Sequence, residues 1–218
     1  MNKNHMSKNN LYKNHMNKNI KNTVFNCSVK VEDTYFYISL DKNFFESVPW
    51  PVALHNHASY EVHIIKTGEY KFYIDNIYGE EIILRSGNCC IIGPNIYHSK
   101  GNALHEGSCR YIFRFECYPS SGKVSKIVQC LNIINKFYLL KSCIKEIKLI
   151  EEIISEFENR QIGYMTAINN LFSQLILTLL RNISGKREFS DSEDKDIRFK
   201  TMSDDRTTTI DGFFVFCK

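Results

Sequence analysis

From Thr23 to about Pro119 the chain alternates between apolar and polar positions, and beyond that the period changes. Val24, Val29 and Val31 open the alternating part, and Tyr35-Phe36-Tyr37-Ile38 continues it. Glu61–Lys66 and Tyr70–Asp75 are β-branched and aromatic runs divided by Thr67-Gly68-Glu69, which reads as a hairpin. Asp75-Asn76 and Ser86-Gly87 mark further reversals on either side of Ile82–Leu84. Cys89–Ile92 and Tyr111–Phe115 complete a set of short strands, a spacing that predicts an all-β sandwich or barrel.

After Ser120-Ser121-Gly122 the apolar period moves toward 3.6. Ile144, Ile147, Ile150, Ile154 and Phe157 form one face of a helix expected to stop near Gly163. Ile168, Leu171, Leu175, Leu179 and Ile183 form a second, expected to start near a Thr166 cap and to end at Gly185. Phe172, Ile176 and Leu180 widen its stripe beyond one contact face, so this helix is either sandwiched in the core or shared with a second subunit.

Both ends of the chain break the pattern. Lys3–Asn9 recurs almost unchanged as Lys13–Asn19, and so polar a segment cannot offset the entropy of ordering it. Residues 1–22 therefore read as a disordered leader, whose His5 and His15 are expected to be solvated. Residues 186–209 are charged and read as a linker, and Ile210–Phe216 turns apolar again. The division expected is leader 1–22, β domain 23–119, helical dimerisation region 120–185, and linker with the start of a further module 186–218.

The formal net charge of +4 comes from the leader, whose five lysines face no acid. The remainder holds 23 basic and 24 acidic residues, with no excess of cations to displace counterions from a nucleic acid. No apolar run approaches the ~18 residues of a membrane span, and no secretory signal opens the chain. A cytoplasmic protein with no membrane contact is expected, its eight cysteines reduced and mostly buried.

Candidate chemistry is concentrated in His55-Asn56-His57-Ala58-Ser59-Tyr60-Glu61. On one strand, side chains at i, i+2 and i+6 share a face, so His55, His57 and Glu61 are expected to point one way, with His63 beside them. A second stretch from Gly87 runs through Gly93-Pro94-Asn95 to His98, with Asn102 beyond. If the two stretches meet inside a barrel, three imidazoles and a carboxylate converge. Tyr70, Phe72 and Tyr73 read as interior packing, His63 as a buried histidine at the binding site, and His105 as a surface residue.

These intervals resemble the two motifs of the cupin superfamily. His55, His57, Glu61 and Gly68 satisfy every interval of the first motif, and Gly87, His98 and Asn102 fit the second. Gly93 and Asn95 replace its Pro and Gly, and Asn tolerates the left-handed backbone that such a Gly supplies. The first motif's leading Gly falls at Pro49. The resemblance implies a mainly β protein with C-terminal helices: a cupin double-stranded β-helix, or jelly-roll, barrel followed by an α-helical pair. In metal-binding cupins the four corresponding positions are the ligands, here His55, His57, Glu61 and His98. Such a set suits one divalent ion such as Mn, Fe, Ni or Zn.

The order of a cupin of about 95 residues, two amphipathic helices and a charged linker is similar to the effector half of AraC-type transcription regulators, with Leu171–Arg181 as the best local match. That resemblance implies a non-enzymatic sensor of a small-molecule effector, sugars included. Residues His55, His57, Glu61, His63 and His98 would bind the effector, and residues 144–183 would pair two copies. DNA would be reached only through a C-terminal module missing from these residues. The alternative is a stand-alone metal-dependent cupin enzyme, an oxygenase or isomerase acting at the same centre.

Overall fold

The computed structural model describes residues 25–41, 44, 51–75, 80–120 and 125–185. The expected leader 1–22 and linker 186–218, together with Pro49 and Cys217, lie outside the described residues.

Among the described residues, ten strands form two antiparallel sheets. The larger sheet holds β1 (Phe25–Val31), β2 (Thr34–Leu40), β9 (Cys109–Pro119), β4 (Tyr60–Thr67), β7 (Cys89–Ile92) and β10 (Phe137–Leu140), in that order. The smaller holds β3 (Val52–His55), β8 (His98–Ala103), β5 (Glu69–Ile74) and β6 (Glu80–Arg85). The fold is thus mainly β, a jelly roll of two facing sheets rather than one continuous barrel wall, with helices after it. Among the described residues no helix is long and apolar enough to cross a membrane.

Two turns do something other than the pattern suggested. Gly68 does not close a hairpin, because β4 and β5 belong to different sheets. It is a corner, and so is Ser86-Gly87 between β6 and β7. Gly68 has φ +78°, and a Cβ there would meet Ser108 Oγ at 2.0 Å, so both backbone and space exclude a side chain. β5 and β6 do pair as an antiparallel hairpin, β5 ending just before Asp75 at φ 85°.

β4 joins the inner face of the larger sheet to the helix layer behind it. Its residues 61–65 are all buried, as expected of a strand covered on both faces. Successive side chains go to opposite faces. Val62 and Ile64 join the cluster that includes Phe36, Ile91, Phe113 and the helices. Ile65 joins the inter-sheet cluster with Tyr70, Phe72 and Ile92. Glu61 and His63 share that inward face.

Among the described residues, three helices come after the strands of the jelly roll: α1 (Lys126–Leu131), α2 (Ile144–Asn159) and α3 (Tyr164–Ser184). Ser125 caps α1, its hydroxyl accepting from Val128 N–H at 3.1 Å. α2 ends at Arg160 in the left-handed region. α3 starts at Tyr164 behind a Gly163 cap, so the expected Thr166 cap lies inside the first turn, while its end at Gly185 falls where the pattern put it. Ile168, Phe172, Leu175, Ile176, Leu179, Leu180 and Ile183 of α3 are all buried within the chain. The helix is sandwiched between sheet and neighbouring helices, with a void of only about 10 Å³ where it meets Phe36 and Phe115. That accounts for the wide stripe without a second subunit. α1 and β10 had no clear signal in the sequence, and β10 brings part of segment 120–185 into the larger sheet by pairing with β7.

Candidate metal centre

His55, His57, Glu61 and His98 meet at the mouth between the sheets. Their ligating atoms all lie within 4.8 Å of one another. The route to this convergence differs from the single strand expected. His55 ends β3 in the smaller sheet, His57 lies in the loop after it, and Glu61 stands on β4 in the larger sheet. His98 opens β8 and is the direct cross-strand partner of His55. The crossing between sheets, not strand period, brings the first three together. Asn95 N–H donates to His57 O at 2.7 Å and so joins the loop before β8 to the loop after β3.

Each of the three imidazoles is tied by its Nδ1 to a backbone carbonyl. His55 reaches Ala53 O at 2.9 Å, His57 reaches Ser59 O at 2.9 Å, and His98 reaches Ile96 O at 2.8 Å. A carbonyl only accepts, so each Nδ1 carries the hydrogen and each Nε2 presents its lone pair in the neutral ring. His57 Nε2 stands 2.7 Å from Glu61 Oε2, and His98 Nε2 stands 3.5 Å from Glu61 Oε1. His98 Nε2 is buried and makes no hydrogen bond within the protein. Lone pairs facing a carboxylate at these distances require a cation between them, a proton or a metal ion.

Charge distribution agrees. Burial alone would raise the Glu61 carboxyl, but the electrostatic pull of the neighbouring His63 ring and its close contacts with His57, His63 and His98 outweigh it and hold it well below the usual 4.5. Burial lowers His55, and the neighbouring His98 adds to that. Burial also opposes charge on His98, yet its contact with Glu61 prevails and raises it. Three nitrogen donors and one anionic oxygen fit a divalent transition ion, with the backbone carbonyls as the outer supports such ligands ordinarily have.

His63 lies beside this set and not in it. It is buried, and its Nδ1 receives Arg110 Nη1 at 2.7 Å. A guanidinium only donates, so His63 Nδ1 bears the lone pair and Nε2 bears the hydrogen, the reverse of the other three. That Nε2 is 2.7 Å from Glu61 Oε1. The N–H lies off the line to that oxygen, so the contact is electrostatic and not a straight hydrogen bond. Burial pushes His63 down to about 4, more than Glu61 pulls it up, so the ring is neutral.

Sequence reasoning missed Arg110 and Lys100. Arg110, Ile112 and Arg114 alternate with the buried Tyr111, Phe113 and Phe115 on β9, and the helix layer takes the apolar set. The period of two would have turned Arg110 inward. Lys100 stands two residues after His98 and is also buried, its Nζ 5.3 Å from the Tyr70 ring. Burial and the charge of Arg110 lower it to about 8. Asn102 and His105 are exposed, and Tyr70 and Phe72 pack between the sheets. Cys27, Cys89, Cys90, Cys109, Cys117, Cys130 and Cys143 are free thiols.

No protein-family model and no curated protein matches the chain. Part of it is similar to solved structures. The cupin domain of Cnp3 from Schizosaccharomyces pombe is 9% identical over 43% of this chain and 66% of that chain, just under two thirds, with a TM-score of 0.28. An RmlC-like cupin family protein with a double-stranded β-helix fold from Methanocaldococcus jannaschii is 18% identical, over 47% and 84%, with a TM-score of 0.26. KdgF from a Halomonas species is 15% identical, over 42% and 77%, with a TM-score of 0.27.

Proposed function

We propose that this cupin-type chain is the effector-binding and dimerisation part of an AraC-type transcription regulator, taking a small molecule at the centre formed by His55, His57, Glu61 and His98. One observation carries the reading. Glu61 and Val62 are consecutive on β4, one facing the centre and the other the helix layer. A ligand that shifts Glu61 therefore shifts the support of α2 and α3. These two helices then relay occupancy to a second copy and, through it, to DNA-contacting residues elsewhere. A bound divalent ion would polarise a ligand carbonyl or hydroxyl at this place. His55, His57 and His98 supply its nitrogen donors, and the carbonyls of residues 53, 59 and 96 keep them oriented.

The test is amide hydrogen exchange of the purified chain with and without a ligand found by thermal-shift screening of sugars and small acids. Slower exchange in α2 and α3 on binding supports the sensor. A ligand that protects only the loops around His57 and Asn95 argues against it.

A second reading, a metal-dependent cupin enzyme, is favoured by the completeness of the four-donor set. It is separated by mass spectrometry of the same ligand after incubation with metal-loaded protein. Turnover supports the enzyme, and unchanged ligand the sensor.

A further inference from the structure

The tautomer of His63 differs from those of the three other histidines, and Arg110 is the cause. From this geometry, and resting on the metal reading of the centre, we infer that His63 is a positioning residue for the Glu61 carboxylate, with Arg110 fixing which of its nitrogens carries the hydrogen.

Arg110 Nη1 donates to His63 Nδ1 at 2.7 Å, and that leaves the hydrogen on His63 Nε2, which stands 2.7 Å from Glu61 Oε1. Glu61 is thereby gripped on one oxygen from inside, while its other oxygen faces His57 Nε2 at 2.7 Å. The two imidazoles nearest the carboxylate are of opposite kind. One is a ring N–H that cannot ligate, and the other is a ring lone pair that can. His63 also packs at 4.6 Å between ring centroids against Phe72, which confines its plane. Arg110 is itself buried, its guanidinium 5.7 Å from the Tyr70 ring and 5.9 Å from the Phe72 ring. The relay Arg110–His63–Glu61 is therefore built from side chains with little room to turn.

Neither residue belongs to the four-donor set. Their part is to hold Glu61 in the orientation that completes the donor set. Outer supports of this kind change metal affinity by about 10- to 100-fold when lost. Glutamine at position 63 preserves the order of an acceptor toward Arg110 and a donor toward Glu61, whereas leucine preserves neither.

The experiment is chelator competition with Co(II), read by its visible absorption, on wild type, His63→Leu, His63→Gln and Arg110→Met. Thermal unfolding of each metal-free form is measured alongside. The expected result is about 10- to 100-fold weaker binding in His63→Leu and Arg110→Met, with His63→Gln within about 3-fold of wild type. Equal losses in His63→Gln and His63→Leu would make His63 a ligand and overturn the inference. So would folded His63→Leu that binds as wild type does. Should His63→Leu fail to fold, the His63→Gln and Arg110→Met pair decides alone. Wild type that takes up no Co(II) or other divalent ion overturns the metal reading itself, an outcome distinct from the others.

Discussion

His55 and His98 face each other across β3 and β8 as direct cross-strand partners, their ring centroids 4.3 Å apart. Two residues 43 positions apart in the chain are thus fixed by strand register, and only the loop residue His57 and the β4 residue Glu61 have to be brought to them.

That arrangement makes metal content the first measurement. Elemental analysis of purified protein should find close to one transition ion per chain. The double variant His57→Ala, Glu61→Ala should lose it while keeping its circular dichroism. Metal-free wild type that still binds a small ligand would leave a sensor without an ion.

The metal-free protein should weaken in mild acid. The unfolded chain protonates His63 near 6.5 and the folded chain only near 4. Between those values the unfolded state binds more protons, so stability falls with pH by roughly 1.4 kcal/mol per unit, about 3 kcal/mol across the window. Glu61, held well below 4.5, adds stability that is present above that value and is lost only at still lower pH. Urea midpoints from pH 7 to 4 should show this slope, and His63→Gln should flatten it. The same slope in the variant would assign the effect to another group.

Self-association is best tested away from the core. Leu175 is fully buried, and Leu175→Asp should destabilise the chain by more than about 4 kcal/mol whatever the subunit count. Half-buried Leu171 borders a groove of about 440 Å³ between α2 and α3, and Ile162 is fully exposed at their turn. If residues 144–183 pair two copies, Leu171→Asp with Ile162→Glu should give monomers by light scattering with stability within about 1 kcal/mol. A wild-type monomer at micromolar concentration removes the homodimer.

Two glycines separate backbone strain from crowding. Gly68 and Gly87 both have φ +78°, but a Cβ at Gly87 meets nothing within 4 Å. Gly87→Ala should cost about 1–2 kcal/mol from the left-handed backbone alone. Gly68→Ala should cost clearly more, and Ser108→Ala should not rescue it, because Ser108 Cβ and Cα would still lie 2.6 and 2.9 Å away. Equal thermal shifts would contradict this.

Much of the site was legible because cupin-like spacing fixes residue identity at each interval. Asn95 is an instance: it stands where the motif has Gly, and it adopts φ 60°. The strands carrying apolar alternation were equally plain. What stayed hidden has physical reasons. β3 is a short, exposed edge strand with no buried stripe, so its pattern is silent. β8 buries His98, Ser99 and Lys100 in succession, which no alternation marks. The corner at Gly68 looks like a hairpin turn because both need a positive φ, and only long-range pairing distinguishes them. Arg110 was visible in period but charged, and charge argued for the surface until His63 and the Tyr70 ring were in place beside it.

The hydrogen bond from Asn95 N–H to His57 O works as a spacer between the two halves of the centre. A single residue inserted on either side of it would leave both sheets free to form, yet would dephase the imidazoles by a full step. Added length should therefore be absorbed in the outer corners of this molecule and should disrupt the centre when placed at its mouth.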